Sequence, residues 1–153
     1  MSHTTVRRAQ ASDLDQLTTL FEGYRAFYRC APNQQEARAF LSERLANGDS
    51  AIFVAVDDAG SGGLTGFVQL YPVFSSLHMR RAFILNDLFV APAHRKHGTA
   101  RQLMDAARAL AADSGAASIT LETARDNHTA RRLYESLGYR LEQTFDQYVL
   151  ELR

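Results

Sequence analysis

The chain has 153 residues, 46% of them hydrophobic, which is enough for one domain to bury a core without a metal or a disulfide. Its 17 Lys+Arg balance 17 Asp+Glu, so no net charge draws it to nucleic acid or an anionic membrane, and neither partner is expected. The lone Cys30 excludes an internal disulfide, no basic-then-apolar leader opens the chain, and no apolar run reaches the ~20 residues that span a bilayer, so one cytoplasmic domain over residues 1–153 is expected.

In chain order, Thr5 to Ala9 is a short β-branched run, and Ser12 stands where a helix N-cap would. Leu14, Leu17, Leu20, Phe21, Tyr24 and Phe27 or Tyr28 follow at helical spacing. After Pro32, Asn33 precedes Glu36 by three as in a capping box, and Ala37, Phe40, Leu41 and Leu45 form a second apolar stripe stopped at Asn47-Gly48. Ala51 to Val56 and Leu64 to Tyr71 read as an antiparallel hairpin across the Asp57 to Gly63 turn. Pro72 to Arg80 reads as a loop, and Ala82 to Val90 as a strand ended by Pro92. Thr99 to Ser114 is a helix stopped by Gly115, Ser118 to Thr123 a strand, and Asn127 to Leu137 a helix ended by Gly138. Tyr139 to Leu152 reads as one or two closing strands, with Tyr148, Leu150 and Leu152 alternating.

The densest chemistry lies where the strand ending at Val90 passes through Arg95-Lys96-His97-Gly98-Thr99-Ala100 into a helix. First-turn N–H groups have no intrahelical acceptor and sit at the positive end of the helix dipole, which suits a phosphate or pyrophosphate. Gly98 and Ala100 let a ligand approach the main chain, and Arg95, Lys96 and Arg101 add cations. The spacing fits neither a P-loop nor a dinucleotide-binding glycine fingerprint. His94 and His97 have no partners at metal-ligand spacing, so no metal is expected.

Downstream comes Asn127-His128-Thr129-Ala130-Arg131-Arg132-Leu133-Tyr134-Glu135-Ser136-Leu137-Gly138-Tyr139. The pair R-x-x-G-x-A and N-x-x-A-x-x-L-Y-E-x-x-G-Y, with a helix and a strand between, resembles the GCN5-related N-acetyltransferase (GNAT) superfamily, which moves acetyl from acetyl-CoA to amines. The resemblance is best from Ile84 to Tyr139 and places the chain near the histone and polyamine acetyltransferase branch. It implies an α/β GNAT fold: a mixed, mostly antiparallel central sheet with a splayed parallel strand pair, flanked by about four helices. It also implies that acetyl-CoA lies along Leu88, Phe89 and Val90, with its pyrophosphate on the amides from Lys96 to Arg101. Asn127 would contact the cofactor arm, Ala130 and Leu133 would line the thiol end, and Tyr134 would be the general acid. A phenol is protonated at pH 7 and can give its proton to a departing thiolate. Acyl transfer also needs an oxyanion donor, for which the Phe89 or Val90 backbone N–H is expected.

Two departures bear on the acceptor. Many relatives carry a Glu at the position of Asn86, where it helps remove the proton of the attacking amine; Asn86 cannot be that base. A water-relayed base is expected instead, with Asp87 and Glu122 the candidate carboxylates, although alternation along a strand would turn Asp87 to the opposite face from Asn86. The first helix ends Phe27-Tyr28-Arg29 without the carboxylate of polyamine-acetylating relatives. Tyr24, Phe27 and Tyr28, with Tyr71, Phe74, Ser75 and Ser76, are the expected walls of the acceptor pocket. The resulting expectation is direct transfer to a primary amine of a small molecule or a lysine-like side chain, with no covalent intermediate and a possible homodimer. The rivals are an acyl-CoA-binding sensor without turnover and an acetyltransferase for a lysine on a partner protein.

Overall fold

The computed structural model describes residues 3–60 and 62–153, so Ser61 of the expected Asp57 to Gly63 turn lies outside the described residues. The chain divides into two compact units, Met1–Leu121 and Glu122–Arg153.

The first unit is a five-stranded sheet in the order β1-β2-β3-β4-β5, with β1 Thr4–Arg8, β2 Ala51–Asp57, β3 Leu64–Ser75, β4 Arg80–Val90 and β5 Ile119–Thr120. The first three pairings are antiparallel and β4 pairs β5 in parallel, so the mixed sheet with a parallel pair is present as expected. Helices α1 (Leu14–Phe27) and α2 (Gln34–Asn47) lie between β1 and β2 in the chain, and α3 (Thr99–Asp113) between β4 and β5. Leu17, Leu20 and Phe21 of α1 and Ala37 and Leu41 of α2 bury against Ile52, Val54 and Phe67. Burying each such large side chain is worth about 1.5–3 kcal/mol, so this layer fixes the position of α1 over the sheet. Leu103, Met104, Ala107 and Ala111 of α3 are also buried; a Cβ on Gly66 would lie 3.3 Å from Leu103 and 2.9 Å from the Phe89 carbonyl oxygen. Gly66 therefore permits the close approach of α3 to β3 and β4.

Several local expectations need correction. Ser12 is not the cap of α1: a 3-10 turn spans Ala11–Asp13, and the Asp13 carboxylate accepts the Gln10 N–H at 2.7 Å. Asn33 does cap α2, accepting the Glu36 N–H at 3.1 Å and donating to its carboxylate at 2.8 Å. Pro72 to Arg80 is not all loop, because β3 continues to Ser75 and β4 begins at Arg80. Proline is tolerated there because β2 stops pairing at Leu70, so Pro72 has only β4 beside it and its missing N–H interrupts no ladder on the other side.

The expected strand Ser118 to Thr123 shortens to Ile119–Thr120, which pair with Phe83 and Ile84. In the second unit, α4 spans His128–Ser136 and Asn127 caps it through the Ala130 N–H at 3.2 Å. No strand forms over 139–153, contrary to the closing strands expected there. Alternation marks residues suited to a strand, but a ladder needs a partner edge, and Tyr148, Leu150 and Leu152 are 92%, 84% and 85% exposed. Among the described residues no helix is long and apolar enough to cross a membrane.

Candidate active site

The central feature is a break in the β3–β4 register. Gln69 pairs with Asp87 and Leu70 with Leu85, so Asn86 is an extra residue on β4, a β-bulge. The bulge leaves the Asn86 side chain exposed while Asp87 is buried to 1% exposure. Asp87 sits under α1, because its neighbour in strand parity, Phe89, packs against Gly23 of that helix and the Tyr24 hydroxyl reaches the adjacent Asn86 carbonyl oxygen.

Neutral donors surround the Asp87 carboxylate. Gln69 Nε2 donates to Oδ2 at 2.6 Å and Asn86 Nδ2 to Oδ1 at 2.7 Å. Gln69 in turn accepts from the Ser50 hydroxyl at 2.8 Å. The Tyr24 hydroxyl donates to the Asn86 carbonyl oxygen at 2.9 Å, one residue from Asp87 in the chain. Burial pushes the Asp87 carboxyl above the usual carboxylate range, while hydrogen bonds from Asn86, Gln69 and Tyr24 pull it back; no cation contributes. Burial, and then the Asp87 charge, push up the phenols of Tyr24, Tyr28 and Tyr71, the last to about 12. All three are proton donors at neutral pH. A carboxyl held between opposing influences beside neutral donors suits proton uptake.

The aromatic wall is only partly the expected one. Tyr24 and Tyr28 meet at 5.1 Å between ring centroids, with Phe27 against Tyr28 at 5.2 Å on the exposed side. Phe74 is not brought to them: it is 81% exposed near the β3–β4 turn, under the Arg81 guanidinium at 5.7 Å. Gln69 and Ser50 escaped the sequence reading. A Gln in step with the inward-facing Phe67, within the otherwise apolar run Phe67-Val68-Gln69-Leu70, was the signal available.

At the other end of β4, Gly98 takes φ +79° and caps α3, and Lys96 takes φ +67°. Nothing lies within 4 Å of where a Gly98 Cβ would be, so the main chain is open to a ligand there. Lys96 and His97 are exposed beside it, Thr99 is buried, and Ala100 and Arg101 continue the first turn. The Arg95 Nε donates to the Val90 carbonyl oxygen at 2.8 Å, and its guanidinium lies 5.3 Å over the Phe89 ring, tying the loop to the strand.

The β4–β5 ladder ends at Ile84, so Leu85 to Val90 have no strand partner on that side among the described residues. Ala91 N–H bonds the Thr65 carbonyl of β3, so by ladder alternation Leu88 and Val90 turn their N–H groups to the open edge. Phe89 N–H faces β3 instead. An open strand edge leading to an amide-rich helix start fits an extended chain ending in a pyrophosphate, as CoA has. Among the described residues no group of three or more His, Cys, Asp or Glu could hold a metal.

In the second unit, Asn127 is at the α4 cap, Ala130, Leu133 and Tyr134 are on α4, and Glu122 is exposed. Tyr134 stands 6.2 Å from the Tyr139 ring, and its carbonyl oxygen accepts the Tyr139 N–H at 3.0 Å, closing the helix C-terminus.

Comparison with known proteins agrees with this architecture. The pattern of the acetyltransferase (GNAT) family matches residues 17–139. The chain is 44% identical over 147 residues to the uncharacterized N-acetyltransferase YhfO of Bacillus subtilis (strain 168), covering 96% of this chain and 97% of that one. A crystal structure of a probable acetyltransferase superposes with TM-score 0.91 at 38% identity, over 97% of this chain and 98% of the other. An aminoglycoside N-acetyltransferase, AAC(6')-Iy, solved with CoA, shares the fold at TM-score 0.80 and 21% identity, over 98% and 96% of the two chains. The chain therefore belongs to the acetyltransferase (GNAT) family and is a GNAT-type N-acetyltransferase.

Proposed function

We propose that residues 1–153 act as one domain that transfers acetyl from acetyl-CoA directly to a primary amine, on a small molecule or a lysine-like side chain. The observation that carries the acceptor end is the buried Asp87, hydrogen-bonded by Gln69 and Asn86 without a cation, beneath Tyr24 and Tyr28. Asp87 takes the acceptor's proton across the Tyr24 hydroxyl or an intervening water, which frees the nitrogen lone pair for attack. Acetyl-CoA supplies the activated acyl group as a thioester. The Val90 N–H offers a hydrogen bond to a developing oxyanion, and the amides from Lys96 to Arg101 with the Lys96 ammonium offer a seat for pyrophosphate. Tyr134 holds the proton for the departing thiolate, with Asn127, Ala130 and Leu133 contacting the cofactor arm, as the family resemblance implies.

Tyr24, Phe27, Tyr28 and Tyr71 form the proposed acceptor side, which favours a compact amine over a polyamine because no carboxylate stands at the end of α1. The proposed setting is cytoplasmic, where an exposed lone thiol such as Cys30 stays reduced. A second copy is the proposed partner for 139–153, since Leu141, Phe145, Tyr148, Val149, Leu150 and Leu152 are all exposed. Light scattering should give twice the mass of the 17.1 kDa chain, and a monomer at micromolar concentration contradicts that pairing.

Release of free CoA thiol from acetyl-CoA, followed over amino acids, polyamines, aminoglycosides and lysine peptides, tests the reading, with Tyr134→Phe as the control. Turnover on at least one acceptor that falls about tenfold or more in Tyr134→Phe supports it. Binding of acetyl-CoA without turnover on any amine favours the sensor instead.

A further inference from the structure

We propose that Gln69, oriented by Ser50, is the positioning residue that lets the buried Asp87 carboxyl gain and lose a proton, its side-chain amide turning over as Asp87 changes state. This rests on the reading of Asp87 as the base for the acceptor amine.

The three side chains form one chain of directed hydrogen bonds. Ser50 O–H donates to Gln69 Oε1 at 2.8 Å, and Gln69 Nε2–H donates to Asp87 Oδ2 at 2.6 Å. They are 8%, 0% and 1% exposed, so water cannot replace a lost partner. Both side-chain amides beside Asp87, Gln69 Nε2–H and Asn86 Nδ2–H, donate to it, the arrangement of an ionised carboxylate. A proton arriving on Oδ2 would set an O–H donor against the Gln69 N–H, leaving buried donors unpaired.

A half-turn of the Gln69 amide removes that conflict. It presents Oε1 to the new Asp87 O–H and swings Nε2–H to the Ser50 oxygen, which accepts instead of donating. Oδ1 continues to accept from Asn86 throughout. A hydroxyl is the side-chain group that can serve at the far end in both states, and Ser50 supplies it. In the base cycle an N–H bond of the acceptor ammonium breaks, its electron pair stays on nitrogen, and an O–H bond forms on Asp87. The reverse turn accompanies return of the proton to solvent.

The groups facing Asp87 do not compete for its charge. Tyr24 of α1, Tyr28 just after it and Tyr71 of β3 keep their phenolic protons, and Arg44 of α2 and Asp49 act on Tyr71 with opposite signs. Asn86 contributes a neutral amide.

The test is a titration of the free enzyme, which needs no acceptor. The Asp87 carboxyl carbon and the Gln69 side-chain amide are followed by NMR from about pH 4 to pH 9, spanning the range a raised carboxyl reaches. Wild type is compared with Gln69→Met and with Ser50→Ala, the smaller change if Gln69→Met folds poorly. The Gln69 amide signals should move with the Asp87 midpoint. That midpoint should rise by about one unit in Gln69→Met, which removes the donor, and by less in Ser50→Ala. The acidic limb of kcat/KM for the amine should shift equally, with the KM for acetyl-CoA unchanged. A Gln69 amide that stays still while Asp87 titrates, an Asp87 that does not titrate in this range, or unmoved midpoints in both variants overturns the proposal. Failure of the base reading shows separately, as an Asp87→Asn enzyme at full rate whatever the Gln69 signals do.

Discussion

Two buried carboxylates, Asp13 at the start of α1 and Asp87 on β4, are served in opposite ways. Asp13, 5% exposed, receives two bonds from the Arg7 guanidinium at 2.8 and 2.9 Å and one from the Gln10 N–H at 2.7 Å. The Arg7 bonds hold its carboxyl below the usual range against the desolvation of burial. Asp87, 1% exposed, has only neutral donors, and burial holds it above that range. A carboxylate paired with a guanidinium is locked in one state and secures the start of α1. One without a cation costs stability and can exchange a proton, the usual mark of a site kept for chemistry.

The largest expected effect that would break this contrast is on activity. Asp87→Asn should lower kcat by about 10²-fold or more, measured by thiol release with the best acceptor. The same variant should be more stable than wild type at pH 7. A carboxyl raised in the folded state is stabilising only while protonated, so its stability falls as pH climbs from the unfolded value of about 3.9 through the folded one. Melting temperatures of Asp87→Asn and wild type should therefore converge as the pH drops toward 4.

Asp13→Asn should do the reverse, losing about 1–2 kcal/mol at pH 7 in urea unfolding while kcat stays within about twofold. Because the folded Asp13 carboxyl is depressed, its contribution is present above the unfolded value and is lost as pH falls through the folded one, so the deficit should fade in acid. A smaller effect separates the acceptor end from the cofactor end. Gly98→Val forces a β-branched residue to φ +79°, a cost of about 1–2 kcal/mol. It should raise the KM for acetyl-CoA several-fold without moving the pH profile, whereas a profile that moves would mean the two ends are not independent.

Much of this was legible in the sequence. The apolar spacing of Leu17, Leu20 and Phe21, the Asn33 and Asn127 caps, and Gly98 before α3 all report local backbone demands that one segment meets alone. What was hidden depends on two segments meeting. Strand alternation alone would turn Asp87 away from the face of Asn86, but a bulge becomes visible only when β3 and β4 are paired. Gln69 and Ser50 acquire a role only from the Asp87 beside them. The same limit explains the missing closing strands, since Tyr148, Leu150 and Leu152 have the pattern but no edge to join.

The most direct test of the central claim is the pH dependence of kcat/KM for a turned-over primary amine, in wild type and Asp87→Asn side by side. If Asp87 takes the amine's proton, wild type shows an acidic limb above the ordinary carboxylate range, and Asp87→Asn loses both that limb and about 10²-fold in rate. An Asp87→Asn enzyme with the wild-type rate and the same limb would contradict the account and leave the buried carboxylate without a part in the transfer.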